Sequence, residues 1–385
     1  MINNSKIRIL HIITGLDSGG AENNLVNIAK NIDKKKFDLH IVSLTGKGSL
    51  GNQILQNEIP LHIFYANSSD FTIIRYIKII LIVIKIMKLI RKIKPHLIQT
   101  WLHHADLIGF ICALITGHKN LIWSIRCSDL KSGYISLKNR ILVKVLSFFS
   151  YYPSVILFNS EAGLKAHLAS GYKPKKNLCI FNGIDTKKFK PDLNQRNTIR
   201  NKLNILEEDP IIGFVGKYEN IKDVNTFLFS IREVQKKISN LYVIMIGSDL
   251  SEDNYTLLDS ISNLNLKNIK LIGITNNVAQ YMQSFDLLLS TSLSEGFPNV
   301  IAEAMSCGVP CISTDVGDSK KIIGETGRVH VIKSYIDISK SCLSILSKNK
   351  KDKIKLSQIS RQRIIDKYDI LSITSQYEIF YKGLI

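Results

Sequence analysis

Two glutamates, Glu295 and Glu303, stand eight positions apart in "LSEGFPNVIAEAMSCGVPCIST", residues 293–314, with a Gly-Phe-Pro-Asn turn between them. Pro298 suits the first position of a helix. The amides of Asn299, Val300 and Ile301 should then lack intrahelical partners, and such an end attracts an anion. A pyrophosphate fits there. Glu303 lies about five residues on, roughly 7 Å along the axis, where its carboxylate can accept hydrogen bonds from the vicinal hydroxyls of a ribose. Glu295, across the turn formed by Gly296 and Phe297, can accept from hydroxyls beyond the phosphates, such as those of a sugar. The bland alternative is one capping and one exposed glutamate, which leaves the glycine and proline unexplained.

Other stretches offer matching chemistry. In "GFVGKYENIKD", 213–223, an apolar strand delivers Lys217, and Lys222 follows where a helix should begin. Two ammonium groups at one strand-to-helix loop can clamp a diphosphate; the alternative is two solvated lysines. In "IITGLDSGGAENN", 12–24, Gly19 and Gly20 precede a helix start and allow close backbone approach to a ligand. The spacing is G-x3-G-G, a poor dinucleotide fingerprint, and a plain tight turn is equally compatible. In "LIQTWLHHADLIG", 97–109, His103 and His104 enter a helix, able to hydrogen-bond a sugar hydroxyl or handle a proton, unless they merely cap or fill the core. Arg126, in "WSIRCSD", can face the same ligand from the next strand and contact an acidic acceptor.

These residues need strands and helices to carry them. Short β-branched runs at 7–14, 37–44, 61–65, 96–101, 120–125 and 154–158 alternate with helical-period stretches near 21–32, 72–93, 104–116 and 137–149. After a polar stretch around 186–200 the pattern restarts, with strands at 211–216, 241–247, 268–272, 285–290 and 310–313. Such alternation predicts an α/β protein of two parallel sheets with covering helices, their carboxyl-end loops lining a cleft. A length of 385 residues agrees with two cores.

Lys and Arg outnumber Asp and Glu by 51 to 32, a net charge of +19. That surplus predicts an acidic partner: nucleic acid, an anionic membrane face or a phosphorylated ligand. No aromatic-basic interleaving of single-strand binders occurs, so nucleic acid is not expected. Six scattered cysteines make no disulfide framework, and the Cys307/Cys311 pair has no second ligand pair for zinc. The amino-terminal apolar run reads as a strand rather than a signal peptide. No apolar run is long enough to require a membrane span, so a cytoplasmic location is expected.

Taken together, "GGAE" at 19–22, "FNGID" at 181–185, "VGKYENIKD" at 215–223, the stretch 293–314 and "VGDSKKIIG" at 316–324 resemble the retaining glycosyltransferases of family 4, also called group 1. The resemblance covers nearly the whole chain. It implies a GT-B fold, two Rossmann-like doubly wound domains facing across a cleft. It implies an acceptor-binding domain over 1–188, a nucleotide-sugar-binding domain over 189–365, and a final helix within 366–385 packing back on the first. It also implies donor contacts from Gly19, Gly20, Lys217, Lys222, Glu295, Gly296, Phe297, Pro298, Asn299, Val300 and Glu303. "WLHHADLIG" is similar to the family's W-x-x-H-A-D-L-x-G version, which makes His104 the cleft histidine, with Glu295 beside it at the donor sugar. His103 and Arg126 would lie towards the acceptor. Lys217 stands where arginine is usual, keeping charge but losing bidentate geometry, and Lys321 stands where a glutamate is frequent.

The implied reaction moves a hexose or N-acetylhexosamine from a nucleotide-diphosphate sugar, commonly UDP-linked, to a saccharide with retention. Lysines and helix amides stabilise the departing diphosphate. No metal and no other cofactor is expected, in agreement with the absence of a D-x-D pair from the chain. The leaving phosphate is the expected proton acceptor and His104 a positioning group. "FTIIRYIKIILIVIKIMKLIRKIKP", 71–95, is apolar and basic. Such a helix either rests on an anionic membrane face or is buried against its sheet, and both readings can hold. With "LKNRILVKVLSFFSYY", 137–152, it suggests peripheral attachment to the inner face of the membrane. The acceptor would then be polyprenyl-linked, as in O-antigen or capsule assembly. Competing readings are a nucleotide-sugar epimerase of the same fold and a non-catalytic carbohydrate-binding protein.

Overall fold

The computed structural model describes residues 6–17, 19–65, 72–128, 130 and 136–385, the side chains of 72–76 excepted. The chain forms two compact units, one running to Gly183 and including Ile370–Ile385, the other Ile184–Asp369. These boundaries fall a few residues from those expected at 188/189 and 365/366. Ile184 already belongs to the second unit, because its N–H donates to the Tyr368 carbonyl at 2.8 Å.

In the first unit, β1 (Ile7–Ile13), α1 (Gly20–Asn31), β2 (Phe37–Ser43), α2 (Gly51–Gln56) and β3 (Leu61–Ile63) are followed by α3 (Thr72–Ile93), β4 (Leu97–Trp101) and α4 (His103–Thr116). Then come β5 (Leu121–Ile125), α5 (Leu137–Phe149), β6 (Val155–Phe158), α6 (Glu161–Ala169) and β7 (Asn177–Cys179). The strands pair in parallel in the order β3-β2-β1-β4-β5-β6-β7.

Strand residues alternate between the faces of this sheet. Ile9 and Ile13 of β1 pack with Leu25 and Ile28 of α1, whereas Leu10 and Ile12 pack with Ile86 of α3, Ala113 of α4 and Leu146 of α5. Each of these leucine and isoleucine side chains contributes about 1.5–3 kcal/mol by leaving water.

The second unit has α7 (Leu193–Lys202), β8 (Ile211–Val215), α8 (Val224–Gln235), β9 (Tyr242–Ile246), α9 (Tyr255–Asn263), β10 (Ile269–Gly273) and α10 (Val278–Ser284). It continues with β11 (Leu287–Ser290), α11 (Asn299–Ser306), β12 (Cys311–Thr314), α12 (Ser319–Ile323), β13 (Arg328–His330), α13 (Tyr335–Leu346) and α14 (Lys350–Tyr368). Its parallel order is β10-β9-β8-β11-β12-β13. The three-residue edge strands β7 and β13 escaped the sequence reading, being too short to show a period.

The last helix, α15 (Ile370–Lys382), returns to the first unit. Tyr381 is fully buried and donates its hydroxyl to Gln99 Oε1 of β4 at 2.5 Å. Tyr377 accepts from Arg126 Nη2 at 2.7 Å.

In both sheets the strand order reverses between the first strand and the fourth, at β1/β4 and at β8/β11. Open α/β sheets bind ligands at the carboxyl ends of their strands at such a reversal. The candidate residues gather at these two places.

Candidate active site

At the second reversal, β8 ends and the chain turns through Gly216 and the exposed Lys217 into a short 3-10 turn, Asn220–Lys222. β11 ends beside it. Leu293 N–H donates to the Ile221 carbonyl at 2.8 Å, and the Thr291 hydroxyl is 3.1 Å and 3.0 Å from the carbonyls of Lys222 and Asp223. These bonds hold the two loops together and set Lys222 Nζ 2.5 Å from Glu295 Oε1. The Ser292 hydroxyl donates to the same oxygen at 2.8 Å. Both ends of the ion pair are largely covered, with side-chain exposures of 22% and 16%.

The turn that follows is pinned from below. Phe297 is buried with its ring centroid 5.4 Å from that of Tyr368. Asp318 N–H, from the loop after β12, donates to the Gly296 carbonyl at 3.0 Å. Gly317 lies at φ +57°, against the carbonyl oxygens of Glu295 and Gly296. A Cβ there would meet both the left-handed strain and the close approach, so the position requires glycine.

Pro298 proves to be the N-cap of α11, with Asn299 the first helical residue. Pro298 itself has no side-chain group that could cap this end. Of the three amides expected to be unpartnered, that of Ile301 is taken by the Pro298 carbonyl at 3.2 Å. Proline at the cap turns its own carbonyl back into the first turn.

Glu303 sits in α11, and burial raises its carboxyl to about 7, with Lys188 as the nearby charge that opposes the rise. The segment carrying Lys188 is tied to the end of α11. Arg361 of α14 donates to the carbonyls of Phe189 and Ser306 at 3.0 Å and 2.5 Å, and the Ser306 hydroxyl bonds the Phe189 carbonyl. Lys188, Ser292 and Gly317 were missed by sequence reasoning. "DTKKFK" at 185–190 offered the lysine, but only folding brings it to Glu303. Lys321 is exposed in α12. A neighbouring cavity of about 440 Å³ is lined by Tyr218, Asp249, Asp253 and Tyr255; its two carboxylates suit it poorly to a diphosphate.

Gly19, Gly20, His103, His104 and Arg126 belong to the first unit, at the ends of β1, β4 and β5. Gly19 is the N-cap of α1, and the Glu22 carboxylate folds over it. Burial raises the Glu22 pKa, its own backbone N–H lowers it, and Asp17 adds to the rise. The start of α1 therefore already holds a carboxylate, contrary to the open phosphate site expected there. Ser18 lies outside the described residues.

The "WLHHADLIG" segment is mostly architectural. Trp101 Nε1 donates to His11 Nδ1 at 3.1 Å, the Thr100 hydroxyl donates to Asp106 Oδ1 at 2.5 Å, and Gly109 lies against the Thr100 side chain. Leu102, the N-cap of α4, sits at φ +74°, strained backbone for a branched residue immediately before the histidine pair. His104 is exposed. His103 is half-buried with Nε2 3.2 Å from His167 Nε2, and burial with the neighbouring imidazoles lowers its pKa to about 3.

Arg126 has another occupation than the expected acceptor contact. Its guanidinium donates to Asn182 Oδ1 at 3.0 Å and to Tyr377 at 2.7 Å, and stacks 4.2 Å from the Trp101 ring. Cys307 and Cys311 are buried thiols, and Cys311 Sγ contacts the Ile301 carbonyl at 3.6 Å.

Comparison with known proteins adds to this geometry. Residues 18–188 match the family model described as Glycosyltransferase Family 4, and 195–363 that of Glycosyl transferases group 1. The chain is 23% identical to the capsular polysaccharide biosynthesis glycosyltransferase CapH of Staphylococcus aureus over 82% of this chain and 83% of that one. It is 22% identical, over 91% and 92%, to the UDP-Gal:alpha-D-GlcNAc-diphosphoundecaprenol alpha-1,3-galactosyltransferase of Escherichia coli. Among solved structures, Anabaena HepE in complex with UDP and glucose superposes with a TM-score of 0.81 at 20% identity, over 97% of this chain and 99% of that one.

Proposed function

This chain belongs to the group 1, family 4 glycosyltransferases, with the two-domain GT-B fold, and we propose that it moves a hexose or N-acetylhexosamine from a UDP-sugar, with retention, to a lipid-linked saccharide in surface polysaccharide assembly. One observation carries the reading: the Lys222–Glu295 ion pair lies at the strand-order reversal of the second sheet, immediately before α11, the helix that carries Glu303. The relatives named for capsule synthesis and for a diphosphoundecaprenol acceptor agree with it.

In this reading the diphosphate rests on the first turn of α11 with Lys217 and Lys222 as counter-charges. Glu303 accepts from the ribose hydroxyls and Glu295 from the donor sugar. Negative charge grows on the leaving phosphate in the transition state, where fixed ammonium groups and amides stabilise it most. The acceptor hydroxyl attacks from the face that the diphosphate vacates and gives its proton to the leaving phosphate. His104 orients a hydroxyl. In this reading Lys217, Lys222 and the helix amides supply the counter-charge that a metal would otherwise provide.

An exposed basic-apolar surface also supports a lipid-linked acceptor. No helix of the described residues is long and apolar enough to cross a membrane. In α3, Ile82, Ile86 and Ile90 are buried in the core while Ile80 and Leu81 are exposed at 59% and 49%, beside the exposed Lys85 and Lys88. α5 likewise buries Val143 and Leu146 and exposes Ile141 and Phe148 beside Lys138 and Lys144. α3 and α5 both pack on α4 and bury residues in the same core cluster on one side of the first sheet. We assign this basic-apolar surface to an anionic bilayer at its headgroups. Residue 71 and the side chains of 72–76 lie outside the described residues.

The test is a panel of nucleotide sugars screened for protection against thermal unfolding, since a ligand of the native state alone raises apparent stability. The best donor is then incubated with and without a polyprenyl-diphosphate saccharide. Release of UDP only with acceptor supports transfer. Release without acceptor supports an epimerase or hydrolase, and saccharide binding indifferent to nucleotide supports a binding protein.

A further inference from the structure

Three side chains of the first unit, from the start of α4, the loop after β5 and the end of α6, meet at one point. His103 begins α4, Cys127 follows β5, and His167 lies in the last turn of α6. One ligand atom from each falls within 4.8 Å of the other two. From this geometry we infer that His103, Cys127 and His167 form a site for a borderline-soft transition-metal ion of the zinc class.

The distances suit such an ion. With metal–nitrogen bonds of 2.0–2.1 Å and a metal–sulfur bond of 2.3 Å, tetrahedral geometry separates two nitrogens by about 3.3 Å and nitrogen from sulfur by about 3.6 Å. His103 Nε2 and His167 Nε2 are 3.2 Å apart. The thiol therefore has to close by little more than about 1 Å, within reach of a side-chain rotation.

The imidazoles are also prepared as ligands. His167 Nδ1 is 2.8 Å from the Gly163 carbonyl, so that nitrogen carries the proton and Nε2 keeps its lone pair towards His103 and Cys127. A backbone acceptor on the far nitrogen is the usual support of a metal-bound histidine. Phe158 and Tyr172 wall the His167 ring at centroid distances of 5.7 Å and 4.9 Å, which limits water on that side.

A metal-free account makes the pair one hydrogen bond from His103 Nε2–H to His167 Nε2. The ion would add to that pair the thiol whose sulfur lies within 4.8 Å of both nitrogens. With the ion bound, Cys127 gives up its thiol proton to solvent and ligates as thiolate, and a water fills the fourth position. The ion would tie α4, the end of β5 and α6 together. It takes no part in the transfer chemistry assigned above.

The experiment uses the untagged full-length chain, stripped with a chelator and titrated with Zn²⁺ and separately with Co²⁺. Saturable uptake of one ion per chain, a higher unfolding temperature and a thiolate-to-cobalt charge-transfer band are expected. Cys127→Ser and His103→Gln should each weaken uptake by at least about tenfold, whereas Cys179→Ser should leave it unchanged. His167 is fully buried, so its replacement is not used to decide. No saturable uptake by the folded wild-type chain, or equal uptake by Cys127→Ser and His103→Gln, overturns the assignment.

Discussion

Lys222 Nζ and Glu295 Oε1, delivered by neighbouring strands β8 and β11, form an ion pair of 2.5 Å. In the proposed reaction a donor diphosphate shares that ammonium with Glu295. Replacing Glu295 by Gln releases the lysine to the phosphates while removing a charged acceptor for sugar hydroxyls. UDP should therefore bind the variant at least as tightly as wild type, while the UDP-sugar binds more weakly and kcat falls. Lys222→Ala should weaken both ligands alike, because it removes phosphate charge and leaves Glu295 unneutralised. Calorimetric titration of each variant with UDP and the UDP-sugar separates the two patterns.

Glu303 should make donor binding depend on pH near neutrality. Its carboxyl is raised to about 7, so below that value the unliganded protein carries a proton there. A ribose diol donates to a carboxylate, and the proton must leave before both hydroxyls are accepted. UDP affinity should fall as pH drops from about 8 to 6 and level off above the upper value. Glu303→Gln should flatten the profile. Glu303→Ala should lose two hydrogen bonds to a charged group, each about 1.5–3 kcal/mol, weakening UDP by at least about a hundredfold. His103→Ala should change UDP affinity little. Equal, slight effects of Glu303→Ala and His103→Ala would refute this placement of the nucleotide.

Arg126 joins the end of β5 to α15 rather than standing open to an acceptor. Arg126→Ala breaks its bonds to Asn182 and Tyr377 and uncovers the Trp101 ring. The loss should be about 3 kcal/mol, on the order of 10 °C in Tm, with UDP affinity kept. A higher acceptor KM at an unchanged Tm would instead assign it to the acceptor.

The helical face of α3 and α5 should bind vesicles containing anionic lipid and ignore neutral ones. Each lysine near the surface contributes about 1 kcal/mol. Lys85→Gln combined with Lys88→Gln should thus reduce partitioning by roughly thirtyfold, and raised salt should mimic it through screening. Ile80→Ser with Phe148→Ser should weaken attachment at any salt. Vesicle flotation reads all three.

Much of the architecture follows from local order in the chain. β1 shows its period as alternating burial, Ile9 and Ile13 to one side of the sheet and Leu10 and Ile12 to the other, and that alternation depends only on neighbours two residues apart. The turn from Glu295 to Pro298 was likewise legible, since glycine, proline and acidic residues constrain the backbone where they stand. The exact start of α11 was not, because which amide Pro298 captures depends on one backbone torsion.

Residue order alone thus carried the two βα units, the lysine-rich loop after β8 and the paired carboxylates around α11. It could not say that Lys188 approaches Glu303, that Glu22 closes over Gly19, or that Arg126 is engaged with Tyr377, 251 residues away. Only the family resemblance set His104 apart from His103, adjacent in the chain yet one turned to His167 and the other exposed. Short-range periodicity is written into neighbouring side chains. The electrostatics of a site is a sum over groups that only packing brings within a few ångströms, and that sum had to await the fold.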